Sequence, residues 1–200
     1  MEDENEKDIT KKKFNIIVLG EQSVGKTSVI SRLKGKKFED TTLSTAGIDY
    51  YIDEKTFDGI KYKFKIFDTA GQERYKSIAG STIKLADGFI IVYAVNNPKS
   101  FEQVQYWIDT IEEGTDLKKK PSVLLANKID LERSVTKEEG EEFAKSKSIT
   151  YSETSAKTGL NIKETFDKLY NNIFQLKGKG KGSFDIRRLS KPKAKKSSFC

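Results

Sequence analysis

The 200-residue sequence predicts an α/β fold in three layers: a mostly parallel six-stranded sheet with one antiparallel strand, flanked by five helices. Three observations point there. Gly88 to Val95 (GFIIVYAV) and Ser122 to Ala126 (SVLLA) are continuous apolar runs, as expected of strands covered by helices on both faces. Amphipathic segments at helical spacing alternate with such runs, which calls for parallel strands joined by crossovers. Two segments of alternating polarity, DYYIDEKTF and IKYKFKIF, flank Asp58-Gly59, a strong hairpin signal that supplies the antiparallel strand.

In chain order, residues 1–12 are charged and aperiodic and read as a flexible extension. A domain is expected over residues 13–176. Its first strand is Phe14 to Leu19 (FNIIVL); a Gly-containing loop, Gly20 to Thr27, leads into a helix carrying Val29, Ile30 and Leu33 and ending near Gly35. Lys36 to Gly47 is polar and unpatterned and reads as a mobile functional loop. In the second half of the hairpin Tyr62, Phe64 and Ile66 share one face and Lys61, Lys63 and Lys65 the other, as fits a half-exposed pair towards a sheet edge. One helix is expected after Asn97, a candidate N-cap, with Pro98 in its first turn and Phe101, Val104, Trp107, Ile108 and Ile111 as its buried stripe. Thr136-x-x-Glu139 reads as a capping box, and Asn161-x-x-Glu164 resembles a second. Between those helices lies a strand at Thr150 to Ser152; the last helix buries Ile162, Phe166, Leu169, Tyr170 and Ile173. Residues 177–200 are rich in Gly, Ser and Lys and read as a flexible tail.

Charge and composition narrow the chemistry. The formal charge is +7, but the tail from Lys177 to Cys200 holds nine Lys/Arg against one acid, Asp185, leaving residues 1–176 at −1. The sequence contains no histidine and one cysteine, Cys200, which excludes Ser-His or Cys-His catalysis, an internal disulfide and a cysteine-based metal site. The N-terminus lacks a signal-peptide core and no apolar run is long enough to span a bilayer, so a cytosolic-side protein is expected.

The motifs carry the function. Gly20-Glu21-Gln22-Ser23-Val24-Gly25-Lys26-Thr27 reads G-x-x-x-x-G-K-[ST] between a strand and a helix. In that setting backbone N–H groups curl around an anion at the helix start, where unpaired donors and the macrodipole favour phosphate, with Ser28 next along the helix. Lys26 would reach the β- and γ-phosphates and Thr27 would ligate Mg²⁺. Asp68-Thr69-Ala70-Gly71-Gln72 follows the third strand: Asp68 suits Mg²⁺, Gly71 lets backbone N–H approach a γ-phosphate, and Gln72 would orient water. Alone, that stretch also fits a surface turn. Asn127-Lys128-Ile129-Asp130 follows the fifth strand. The Asp130 carboxylate can accept from both N1–H and the 2-amino group of guanine, which adenine lacks; an unpaired buried carboxylate would reject ATP. Asn127 would brace the loops and Lys128 would lie along the base; in isolation the motif also fits a helix cap. Ser155, Ala156 and Lys157 would complete the base site, with the Ala156 N–H on O6, and Phe38 would cover the base or ribose, though by itself it also fits a helix-end hydrophobe.

Taken together, these motifs resemble the small-GTPase form of the P-loop NTPase fold over about Lys13 to Leu176. The resemblance implies GTP/GDP and Mg²⁺ as ligands, and Thr45 as the first-switch residue that ligates Mg²⁺ and senses the γ-phosphate. Lys26, Thr45 and Gln72 become the catalytic set, and residues 69–84 the second switch. Thr45-Ala46-Gly47-Ile48-Asp49-Tyr50 and the stretch Phe64 to Tyr75 are similar to the Rab family, and the loop spelling to its Golgi-trafficking subgroup. Tyr50, Phe67, Thr82 and Ala46 depart from the Rab pattern at effector-facing positions. The branch implies a monomeric switch in vesicle traffic, working with an exchange factor, a GAP, a GDP-dissociation inhibitor and effectors. It would cycle between cytosol and the cytoplasmic face of endomembranes through a prenyl group on Cys200, with the basic tail drawn to anionic lipid rather than nucleic acid. No arginine lies between Lys34 and Ile66, so slow unaided hydrolysis is expected. The alternatives are a GTP-binding scaffold with negligible turnover or a non-Rab switch.

Overall fold

The computed structural model describes residues 13–39, 48–69 and 82–178. They form one six-stranded sheet in the order β2-β3-β1-β4-β5-β6. The strands are β1 (Lys13–Leu19), β2 (Ile48–Phe57), β3 (Ile60–Thr69), β4 (Gly88–Ala94), β5 (Ser122–Asn127) and β6 (Thr150–Glu153). All neighbours pair parallel except β2 and β3, whose antiparallel register runs from Ile48 opposite Thr69 to Phe57 opposite Ile60. Asp58 and Gly59 close that hairpin with φ of 50° and 77°, the doubly positive geometry that matches the twist of paired strands.

Five α-helices lie wholly among the described residues, α1 (Lys26–Leu33), α2 (Pro98–Glu102), α3 (Val104–Gly114), α4 (Lys137–Ser146) and α5 (Ile162–Ile173), and residues 82–84 are helical as well. Alternation along the central strands divides the core between the two faces of the sheet. Ile16, Val18, Ile90, Val92 and Leu125 join Val29 and Ile30 of α1 and Phe166, Leu169 and Tyr170 of α5 in one layer. Ile17, Leu19, Ile91, Tyr93 and Leu124 join Val104, Trp107 and Ile108 of α3 and Ala144 of α4 in the other. This two-sided burial is why β4 and residues 123–126 of β5 are apolar. Tyr62, Phe64 and Ile66 turn into the first layer, where Phe57 stacks on Phe174 at 4.5 Å between centroids.

Two helix starts differ from the sequence expectation. The single helix after Asn97 is two, interrupted at Gln103, whose ψ of −8° departs from helical geometry; Asn97 does cap the first by accepting from the Ser100 N–H. Asn161 is not part of a capping box. It sits at φ 56°, a left-handed conformation asparagine tolerates, and its Nδ2 donates to the Glu153 carbonyl at 3.0 Å, so its side chain is committed to β6. Thr136 and Glu139 make the full reciprocal box.

Candidate nucleotide site

The carboxyl ends of β1, β3, β5 and β6 converge on one side of the sheet, where ligands of open α/β sheets bind. The loop leaving β1 is shaped by two glycines. Gly20 has φ +144°, and a Cβ there would lie 2.3 Å from the Val92 carbonyl oxygen; Gly25 has φ +97°, and its Cβ would lie 2.4 Å from Asn127 Nδ2. Gly25 then serves as N-cap of α1, and having no side chain it offers no cap of its own to the start of that helix. The start of a helix behind such a loop is an arrangement that suits an anion.

Lys26 is buried and folds back across the loop, its Nζ donating to the Gly20 and Glu21 carbonyls at 2.8 Å each. Burial lowers its pKa to about 8, against the pull of Asp68 and Glu21. An ammonium held there gains from a phosphate, which supplies the counter-charge that burial withholds. At the end of β3 the Asp68 carboxyl is likewise buried and pushed up by burial, opposed by a hydrogen bond with the Thr27 side chain and by the Lys26 charge. Its Oδ1 has no hydrogen-bond partner among the described residues. An orphaned carboxylate oxygen beside a threonine hydroxyl fits a hard divalent cation. No group of three or more His, Cys, Asp and Glu that could hold a metal exists among the described residues, so such a cation would rely on phosphate oxygens for further ligands, as Mg²⁺ commonly does.

Asn127, at the end of β5 and 1% exposed, ties the loops together. Its Nδ2 donates to the Val24 carbonyl at 2.8 Å, while its Oδ1 accepts from the Ala156 N–H at 3.2 Å and the Thr154 hydroxyl at 3.4 Å. The Ser155 hydroxyl donates to Asp130 Oδ1 at 2.5 Å and accepts from the Thr158 N–H at 3.0 Å. Ser155 is thus buried behind Asp130 and fixes the carboxylate. Asp130 itself is exposed, not buried as the sequence argument supposed. The open cavity leaves it in solvent, so the desolvation that would reject the wrong base has to come from the bound base itself. Lys128 stands at φ 66°, its pKa lowered by burial against the attraction of Asp130.

Ser23, Gly25, Ser28, Phe38, Asn127, Lys128, Asp130, Ala156 and Lys157 line one cavity of about 550 Å³. Two further lining residues, Glu39 and Leu131, are absent from the sequence-derived set; each directly follows a member of it, which was the only signal available. Thr45, Gly71, Gln72 and Cys200 lie outside the described residues, as do Ala46 and most of both expected switches.

A Ras-family profile matches residues 15–175. The chain is 38% identical to the bovine (Bos taurus) Ras-related protein Rab-13 over 167 residues, 82% of each chain. It is 40% identical to Rab-10 of Diplobatis ommata over 164 residues, covering 81% of this chain and 82% of the relative. Against bovine Rab-8A the identity is 37% over 196 residues, 93% of each. Members of this family bind guanine nucleotide, typically with Mg²⁺. A glycine-shaped loop, a cavity braced by Asn127 and these matches agree: the chain belongs to the Ras family, on its Rab side, and is a Rab-like small GTPase, a GTP hydrolase of intracellular membrane traffic.

Proposed function

We propose that the chain is a GTP/GDP timer whose nucleotide sits in the cavity between Phe38 and Lys128, with its base on Asp130 and its phosphates in the loop from Gly20 to Thr27. The observation that carries this reading is Asn127, whose three hydrogen bonds join the phosphate loop to both base loops. Lys26 would turn from the loop carbonyls to the β- and γ-phosphates, and the Ala156 N–H would face the guanine O6. Thr27 and Asp68, with Thr45 by resemblance, would hold Mg²⁺, which supplies charge neutralisation between the β- and γ-phosphates. Gln72 would orient the attacking water, with Gly71 beside the γ-phosphate. Hydrolysis would be slow alone and accelerated about 10³- to 10⁵-fold by a partner supplying an arginine. An exchange factor, a GDP-dissociation inhibitor and effectors would complete the cycle, and a prenyl group on Cys200 would hold the active form on endomembranes; the loop spelling supports the Golgi.

Single-turnover hydrolysis of radiolabelled GTP with Mg²⁺, with ATP as competitor, tests this. Tight guanine binding indifferent to ATP, with slow turnover abolished in Gln72→Leu, is expected. Turnover independent of Gln72, or displacement by ATP, would overturn the assignment.

A further inference from the structure

The end of the sheet opposite the nucleotide cavity carries a second feature. The amino ends of β1, β4 and β5 meet there, and the last described helical turn, Phe174–Gly178, joins them: Lys177 Nζ bonds Asp87 Oδ1 at 2.5 Å, just ahead of β4. Asp87 Oδ2 also accepts the Asn15 N–H at 2.8 Å, and Asn15 Nδ2 donates to the Leu85 carbonyl at 3.1 Å. Lys120, just before β5, donates to the Ala86 carbonyl at 2.6 Å. Lys13, Lys84, Lys118 and Lys119 are exposed around this seam. Two aspartates lie among them, and both are already engaged: Asp87 with Lys177, and Asp116 with Lys119 at 2.9 Å. Glu112 and Glu113, in the last turn of α3, border the patch. Within it two large apolar side chains stand in solvent, Leu85 at 69% and Leu176 at 55% exposure.

We propose that this amino-end face, centred on Lys118, Lys119, Lys120 and Lys177 with Leu85 and Leu176, is the surface with which the domain rests on an anionic lipid bilayer. Ammonium groups around isolated leucines match a membrane interface, where apolar side chains reach the acyl boundary and cations meet headgroups. Nucleic acid fits less well, since single strands are held by aromatic platforms and no exposed aromatic among the described residues lies in the patch. The chain beyond Gly178 also starts from this face, so an anchor at Cys200 would present it repeatedly to the membrane and make a weak contact effectively intramolecular. In that pose the nucleotide cavity faces away from the lipid. The inference builds on the membrane-tether reading of Cys200.

Vesicle co-sedimentation of the full, GDP-loaded chain tests it, with Cys200→Ser in every arm so that lipidation plays no part. Vesicles are pure phosphatidylcholine, or phosphatidylcholine with about a third phosphatidylserine. At about 1 kcal/mol per basic residue near an anionic surface, Lys118→Gln/Lys119→Gln should lower partition onto the phosphatidylserine vesicles by about 10- to 30-fold. Leu85→Ser/Leu176→Ser should also lower it, and none of the arms should bind the neutral vesicles. Unchanged nucleotide content shows that the variants fold. Partition of the lysine pair within twofold of wild type, with loss confined to Lys193→Gln/Lys195→Gln/Lys196→Gln, would assign the contact to the tail alone and overturn the proposal. So would loss of binding to a 20-nucleotide RNA with vesicle binding intact. Failure of the tether reading would appear separately, as undiminished membrane association of Cys200→Ser in cells.

Discussion

Truncating Asn127 to alanine strikes the joint between the phosphate and base loops. The side chain is buried, so its removal strands the Val24 carbonyl and the Ala156 N–H, with the 3.4 Å Thr154 contact counting least. A buried polar group left unpaired costs about 1 to 3 kcal/mol, and water entering the vacated space recovers part of two such losses, leaving about 3 kcal/mol. Expressed in nucleotide dissociation, that is about 100-fold faster release. The assay is displacement of a fluorescent GDP analogue by excess GDP, followed as a first-order rate. Asn127→Asp sharpens the test: it keeps an acceptor towards Ala156 but sets a carboxylate oxygen against the Val24 carbonyl, where Nδ2 donates at 2.8 Å. It should release GDP at least as fast as the alanine variant. Release within threefold of wild type in Asn127→Ala, or a milder Asn127→Asp, would refute the bracing argument.

Gly20→Ala drives a Cβ to 2.3 Å from a backbone oxygen at a φ of +144°; the combined strain of about 3 to 4 kcal/mol should lower Tm by roughly 10 °C in a thermal melt with saturating GDP. Asp68→Ala removes the orphaned oxygen beside Thr27, so GDP release in Mg²⁺ should rise to the rate seen in EDTA; a persisting difference between the two conditions would clear Asp68 of a metal role. Thr136→Ala dismantles the capping box at α4, which is remote from the nucleotide, and should cost about 1 kcal/mol, or roughly 3 °C in Tm, with GDP release unchanged.

The sequence showed the sheet because its signals are local. β4 and residues 123–126 of β5 are apolar since both faces are covered, and Asp58-Gly59 marks the hairpin because only such residues take two positive φ values cheaply. The elements it misread depend on tertiary partners. Asn161 has the right spacing from Glu164 for a cap, yet Glu153, on a strand eight residues earlier, takes its amide. Likewise the stripe from Phe101 to Ile111 carries no sign of the interruption at Gln103, because the apolar period continues across it.

The site divides along the same line. Residue types and their spacing marked the loops, since phosphate, guanine and a divalent cation each demand particular donors. The connections between loops were not legible. Asn127 and Val24 are 103 residues apart, and only the fold shows that one amide closes both sides of the cavity. Arg32 makes a parallel link, donating from α1 to the Lys36 carbonyl at 3.0 Å and to the Thr158 carbonyl at 3.3 Å. The helix that begins at the phosphate loop is therefore tied at its far end to the base loop and to the segment carrying Phe38. A nucleotide seated there as proposed would not leave by loosening one loop alone, because displacing the Ala156 segment strains Asn127 and hence Val24. With nucleotide seated as proposed, coupled loops would slow its release, and a partner that speeds exchange would need to distort only one of them.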